Sequence, residues 1–220
     1  MTRDADIAPI LHDLEASTAE LVRLAVSVAI GAEQQVRDAM TRAVAVRLNP
    51  VWVEELVLQT YLFAGFPRAL NAAREWRRAS ARPAPVDEEA VAPPDPERLR
   101  ERGERTCAIV YGDMYGRLRA NVRELHPALD AWMVMEGYGK VLSRPGLDLR
   151  RRELCIVAVC AATDQERQLH SHLHGALHAG AGSAEIGAAL ELGTASLPAK
   201  RRARFRQLWE RVAGGSRGAE

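Results

Sequence analysis

Shifted by 133 residues, the first part of the chain falls on the last without a gap, Glu20 landing on Glu153. Leu21 then meets Leu154, Ala25 meets Ala158, Val26 meets Val159, Ala29 meets Ala162, Gln35 meets Gln168 and Ala43 meets Ala176, while Val53 matches Ile186 in character. Self-similarity at a fixed offset marks a repeated structural unit. The identities recur at helical steps, which two alanine-rich helices could share without common origin. Yet the run passes through a turn without an insertion and keeps an acidic residue at its start, which favours duplication. A fold for this chain has to build one unit twice.

That unit reads as helical. Ser17-Thr18-Ala19-Glu20 has the form of a capping box, and Leu21, Leu24, Ala25 and Val28 follow at helical spacing. A second helix is expected over 33–47. Asn49-Pro50 opens a third, with an N-cap followed by proline at the first helical position. Gly65-Phe66-Pro67 breaks it and starts a fourth, which runs into Trp76. Later helices are expected over 96–124, 127–142, 148–162, 165–179, 183–192 and 198–212, with a turn at Arg144-Pro145-Gly146. No stretch alternates at period two, so the fold class is all-α. Between the lobes, Pro83, Pro85, Pro93, Pro94 and Pro96 stand among alanines and acids, and a helix cannot continue through them. The expected organisation is an N-terminal repeat over 1–78, a linker over 79–96, a C-terminal repeat over 97–213 and a flexible tail over 214–220.

Composition narrows the function classes. A net charge of +1 over 220 residues supplies no basic field for nucleic acid. The longest nearly uncharged stretch, 24–32, is far short of a bilayer span. Asp4 and Asp6 precede any apolar run, unlike a signal peptide. Three cysteines (Cys107, Cys155 and Cys160) without a C-x-x-C pair argue against a disulfide scaffold, a structural zinc site and a thioredoxin-like dithiol. A reducing, cytoplasmic compartment is expected.

Four of the six histidines crowd into one segment, His170, His172, His174 and His178. Three of them, spaced by four, share one stripe of a helix, and His172 points to another face. The stripe reads best as solvated or hydrogen-bonded histidines. As a metal site it lacks a third ligand and an H-E-x-x-H pattern, so no metal is assigned. His172 is different. If 148–162 and 165–179 form an antiparallel hairpin turning near Thr163, Glu153 and His172 lie level on facing helices. A carboxylate beside an imidazole orients it and suits it to proton transfer, although a structural Glu–His contact has the same sequence signature. Upstream, Glu136 and Tyr138 sit in Glu-Gly-Tyr-Gly-Lys, where glycines beside Tyr138 permit close approach of a helix or a ligand. Arg144 has the fork geometry to bind a carboxylate. Cys155 and Cys160 lie on different faces of one helix and read as small core residues. The basic run 200–206 reads as a solvated face.

These residues resemble the carboxymuconolactone decarboxylase family, whose wider fold group includes the alkylhydroperoxidase D-like (AhpD-like) proteins. The resemblance rests on Glu136-Gly-Tyr-Gly-Lys-Val-Leu-Ser-Arg-Pro-Gly-Leu-Asp-Leu-Arg-Arg-Arg-Glu153, on His172-Leu-His-Gly-Ala-Leu-His-Ala-Gly180 and on Glu185-Ile186. Tyr111-Gly-Asp-Met and the run from Glu54 through Gly65-Phe66-Pro67 add to it, so that most of the chain outside the linker and tail is covered. It implies an AhpD-like helical fold and a homo-oligomer, commonly a trimer or hexamer. It also implies a pocket holding Glu153 and His172, with Glu136 and Tyr138 lining it. Redox-active relatives carry C-x-x-C four residues before this histidine, where the present chain has Gln165 and Gln168. Without those thiolates a peroxidase of that type is disfavoured.

The expectation is therefore a cofactor-independent decarboxylase, or an enzyme of related proton-transfer chemistry, acting on a small carboxylated lactone or acid. Its catalytic residues would be Glu153 and His172, with Glu136, Tyr138, Arg144 and Gln168 as substrate-binding residues and Arg167 as another candidate for the substrate carboxylate. Nucleic acid and membrane are not expected partners. Two alternatives stand beside it: a redox protein working through Cys155 or Cys160, and a non-catalytic binding module. Ala39 occupies the place of His172 in the N-terminal repeat, so one site per chain is expected.

Overall fold

The computed structural model describes residues 13–86, 92 and 95–216, and every regular element among them is helical. Four helices form the first unit: α1 (Ala16–Ile30), α2 (Glu33–Ala45), α3 (Pro50–Ala64) and α4 (Phe66–Ser80). After the linker come α5 (Pro96–Tyr111), a 3-10 turn (Gly112–Met114), α6 (Tyr115–Leu125), α7 (Pro127–Trp132) and a π-helix (Met133–Leu142). The last four are α8 (Leu149–Ala162), α9 (Glu166–His178), α10 (Ser183–Thr194) and α11 (Ala199–Ser216).

The offset seen in the sequence is the offset of the helices. Moving α1, α2, α3 and α4 by 133 residues puts their first residues on those of α8, α9, α10 and α11. The same pairs pack in both units: first with second, first with third, second with fourth and third with fourth. The units also face each other in kind. Helix α1 packs on α8, its counterpart, while α1 on α10 is answered by α3 on α8, the pattern of a pseudo-two-fold axis.

At the centre lies α8. Its residues from Arg152 to Ala162 are all buried, and α1, α3, α9 and α10 surround it. From Leu154 onward the helix is apolar on every side, and a stretch of that kind has to occupy such a place. Asp148 caps its start by accepting from the Arg151 amide at 3.0 Å. Asp164, in the left-handed region at φ 60°, turns the chain into α9.

Three expectations are corrected. The capping box at Ser17 does not form: α1 begins two residues earlier with Glu15 at the N-cap, the counterpart of Asp148, and the Ser17 hydroxyl donates to the Glu15 carboxylate at 2.5 Å. The single helix expected over 96–124 is broken at Gly112, whose φ of 52° no ordinary helical residue adopts. The one expected over 127–142 changes pitch after Trp132 into a π-helix, closed by the Ser143 amide donating to the Tyr138 carbonyl at 3.0 Å. Of the linker, 81–86 has no regular structure, and most of the rest lies outside the described residues, as do the first twelve residues and 217–220 of the tail.

Candidate active site

The hairpin of α8 and α9 brings Glu153 and His172 together as the spacing predicts. His172 Nδ1 lies 2.8 Å from Glu153 Oε2, and side-chain exposure is 6% for the imidazole and 0% for the carboxylate. Because the carboxylate accepts, Nδ1 carries the hydrogen and Nε2 is left as the working nitrogen. No hydrogen bond within the described structure engages Nε2. Gly175, one turn above, makes the approach possible: a Cβ there would stand 2.7 Å from Glu153 Oε2. Glu153 Oε1 is buried and has no hydrogen-bond partner among the described residues.

Two aromatic rings hold the imidazole. Phe63 of α3 meets it edge-on at 5.6 Å, and Tyr111 of α5 lies at 6.5 Å. The site thus draws on both repeats and on the segment between them. Tyr138, on the π-helix, is buried and meets Tyr111 edge to face at 6.2 Å. Burial pushes the Tyr111 hydroxyl up to about 12 and Tyr138 well above its ordinary value, with the Glu153 carboxylate adding to both. These phenols stay protonated at neutral pH.

Two glycines set this arrangement. A Cβ on Gly103 of α5 would lie 2.0 Å from the Val134 carbonyl oxygen, and one on Gly139 would lie 2.2 Å from the Leu99 carbonyl oxygen. The backbones of α5 and the π-helix therefore touch, and Tyr111 and Tyr138 face each other across the contact. Of the two glycines beside Tyr138, Gly139 serves a neighbouring helix, and Gly137 has nothing within 4 Å.

The other expected substrate-binding residues do not join this cluster. Glu136 is 41% exposed at its side chain and pairs with Lys140 at 3.2 Å. Gln168 is exposed on α9, one turn before His172. Arg144 turns to Glu55 of α3, with Nε 3.0 and 3.1 Å from its two oxygens. Arg152, wholly buried, donates to the same carboxylate at 2.7 Å and to the Leu147 carbonyl at 3.0 Å. A Cβ on Gly146 would strike Glu55 Cγ at 2.7 Å. Arg144, Gly146, Leu147 and Asp148 of the Arg-Pro-Gly-Leu-Asp motif thus form a buckle that fastens α8 to α3.

The thiols are core residues. Cys107, Cys155 and Cys160 are buried, and burial pushes each up to about 12. In the first repeat Glu20 pairs with Arg23 and Arg42, and Ala39 is packed in the core where the second repeat has its histidine. Among the described residues no group of three or more His, Cys, Asp or Glu is placed to hold a metal, and no helix is long and apolar enough to cross a membrane.

Sequence reasoning gave Tyr111 no site role and passed over Phe63. Each ends or nearly ends a helix that the sequence places far from His172, and only the packing of α3 and α5 against α8 and α9 joins them. Tyr111 stood in a stretch noted for resemblance alone.

Compared with known proteins, the chain matches a family model described as the carboxymuconolactone decarboxylase family over residues 2–78 and 127–205. No curated protein matches it.

Proposed function

From the chain's membership of the carboxymuconolactone decarboxylase family, to which it belongs by both matched stretches, we propose that it catalyses proton-transfer chemistry on a small carboxylated lactone or acid. Decarboxylation is the leading reaction. His172 is the acid–base group and Glu153 the residue that orients it. The observation that carries this reading is the buried pair itself, with one imidazole nitrogen committed to the carboxylate and the other unengaged. A contact kept for packing alone has little reason to leave Glu153 Oε1 buried and unpartnered. Such a group costs about 1–3 kcal/mol.

In the decarboxylation the bond between the ring carbon and the carboxylate breaks. Carbon dioxide leaves, and the electron pair passes into the conjugated carbonyl of the lactone. His172, having taken up a proton from solvent at Nε2 beforehand, delivers it to a carbon of the resulting dienolate and returns to the neutral imidazole, and the Nδ1–H bond to Glu153 stabilises the imidazolium before transfer. Tyr111 and Phe63 shield the pair from bulk water. A thiol–peroxide reaction has less support, because glutamines occupy both positions of the dithiol and the three thiols are buried.

The test is turnover of 4-carboxymuconolactone by the purified protein and by His172→Ala. General acid–base catalysis contributes about 10²–10⁴-fold, so the variant is expected to lose at least that much in kcat while keeping its fold by circular dichroism. Equal turnover by both proteins removes His172 from the mechanism. Inactivity of both removes this reaction.

A further inference from the structure

Tyr111 also borders a second feature, whose lining does not include His172. A cleft of about 660 Å³ opens between α9 and the arm formed by the 3-10 turn and α6. That volume suits a small organic molecule. Its inner wall is the histidine stripe. The rings of His170 and His174 are 5.1 Å apart, those of His174 and His178 6.5 Å, and His178 Nδ1 donates to the Val110 carbonyl at 2.9 Å. Gly112 lets the turn close over this end, since a Cβ there would stand 3.1 Å from the His178 ring.

The polar lining favours an anion. Arg117 faces the cleft with no hydrogen bond or ion pair to any described residue. Burial, reinforced by the neighbouring His170 and His178, holds His174 below its ordinary value, so it is a neutral N–H donor at pH 7. Asn121 adds a further donor, while the Ser171 hydroxyl already donates to the Arg167 carbonyl at 3.4 Å, and one carboxylate, Asp113, stands against them. The rest of the lining is apolar: Val110, Met114, Leu118 and the ring of Tyr111. Helix α6 buries none of its residues, so this wall can adjust to an occupant.

We propose that the cleft between α9 and α6 is a binding site for a small organic carboxylate with a flat apolar body, its charge on Arg117 and its body against Tyr111 and Leu118. The proposal stands on the lining of the cleft and does not depend on the reaction at His172.

Calorimetric titration with benzoate, and with benzamide as its neutral counterpart, tests it. Saturable benzoate binding is expected, tighter than benzamide by roughly five-fold or more, the margin of a charge-assisted contact. Arg117→Gln, at an exposed position with no protein partner, should weaken benzoate by a similar factor, and Asp113→Asn should tighten it. His172→Ala should bind benzoate as the parent does, which separates this result from any failure of turnover. No saturation up to about 10 mM, equal affinity for benzamide, or indifference to Arg117→Gln overturns the proposal. So does loss of binding in His172→Ala.

Discussion

At the scale of single residues, the chemistry of the site turns on which groups ionise. Three thiols lie within the core, and two of them, Cys107 and Cys160, have the Glu153 carboxylate as an electrostatic neighbour. With their ionisation pushed up to about 12 by burial, the thiolate fraction at about pH 8 is on the order of 10⁻⁴. Native protein treated with iodoacetamide is therefore expected to react orders of magnitude more slowly than free cysteine, and to react fully once unfolded. Rapid labelling of Cys155 or Cys160 in the native state would restore the thiol reading. The contrast with His172 explains why one buried polar group suits catalysis and another does not. Its partner satisfies Nδ1 alone and leaves the opposite nitrogen for a substrate, whereas the thiols have packing and no activating base.

Among the elements, the π-helix does what no regular helix expected over 127–142 could do. It sets Tyr138 inward while Gly139 carries the backbone against α5. Gly139→Ala would place a methyl 2.2 Å from the Leu99 carbonyl oxygen, a clash that only backbone movement relieves. A loss of about 2–3 kcal/mol in urea denaturation is expected. Gly137→Ala meets open space and should stay within about 0.5 kcal/mol of the parent. Equal effects of the two would deny the close approach. The sequence made the hairpin legible for a physical reason: Glu153 and His172 lie on adjoining helices, so their meeting follows from local periodicity and one short turn. It also made the N-cap Asn49 legible. It did not give the change of pitch after Trp132, which accompanies close backbone contact with α5, a segment remote in sequence. Nor could it give the partner of Arg144. Glu55 is remote in sequence, and a fork-shaped cation reads the same whether it awaits a substrate or a buried carboxylate.

For the whole molecule, the decisive contact is the one that joins the repeats. The offset read from the sequence reproduces all four helix starts, because helix lengths and turns are set locally within each unit. How the units dock is not local. It depends on Glu55, Arg144 and Arg152, whose counterparts at the offset are not the same residues: Ala19 stands where Arg152 would fall and Ala188 where Glu55 would. Arg151 also ties α8 to the start of α1, through Glu15 at 2.7 Å and Thr18 at 3.0 Å, but the buried ion-pair cluster lies on the α3–α8 side of the pseudo-two-fold pairing. That side carries the buckle leading into α8, hence into Glu153. Burial works against the Arg152 charge and Glu55 supports it. Glu55→Gln leaves that guanidinium buried without its counter-charge, for which breaking a buried pair costs about 3–5 kcal/mol. The expected result is a single cooperative unfolding transition moved to lower urea by that amount, since the repeats share a core through α1 and α8. The double variant Glu55→Gln, Arg152→Met, which removes the stranded charge, should recover part of the loss, about 1–3 kcal/mol of coupling. Two separate transitions, or a double variant with additive losses, would mean that the repeats are held by their apolar faces alone and that the buckle is incidental to the placement of the site.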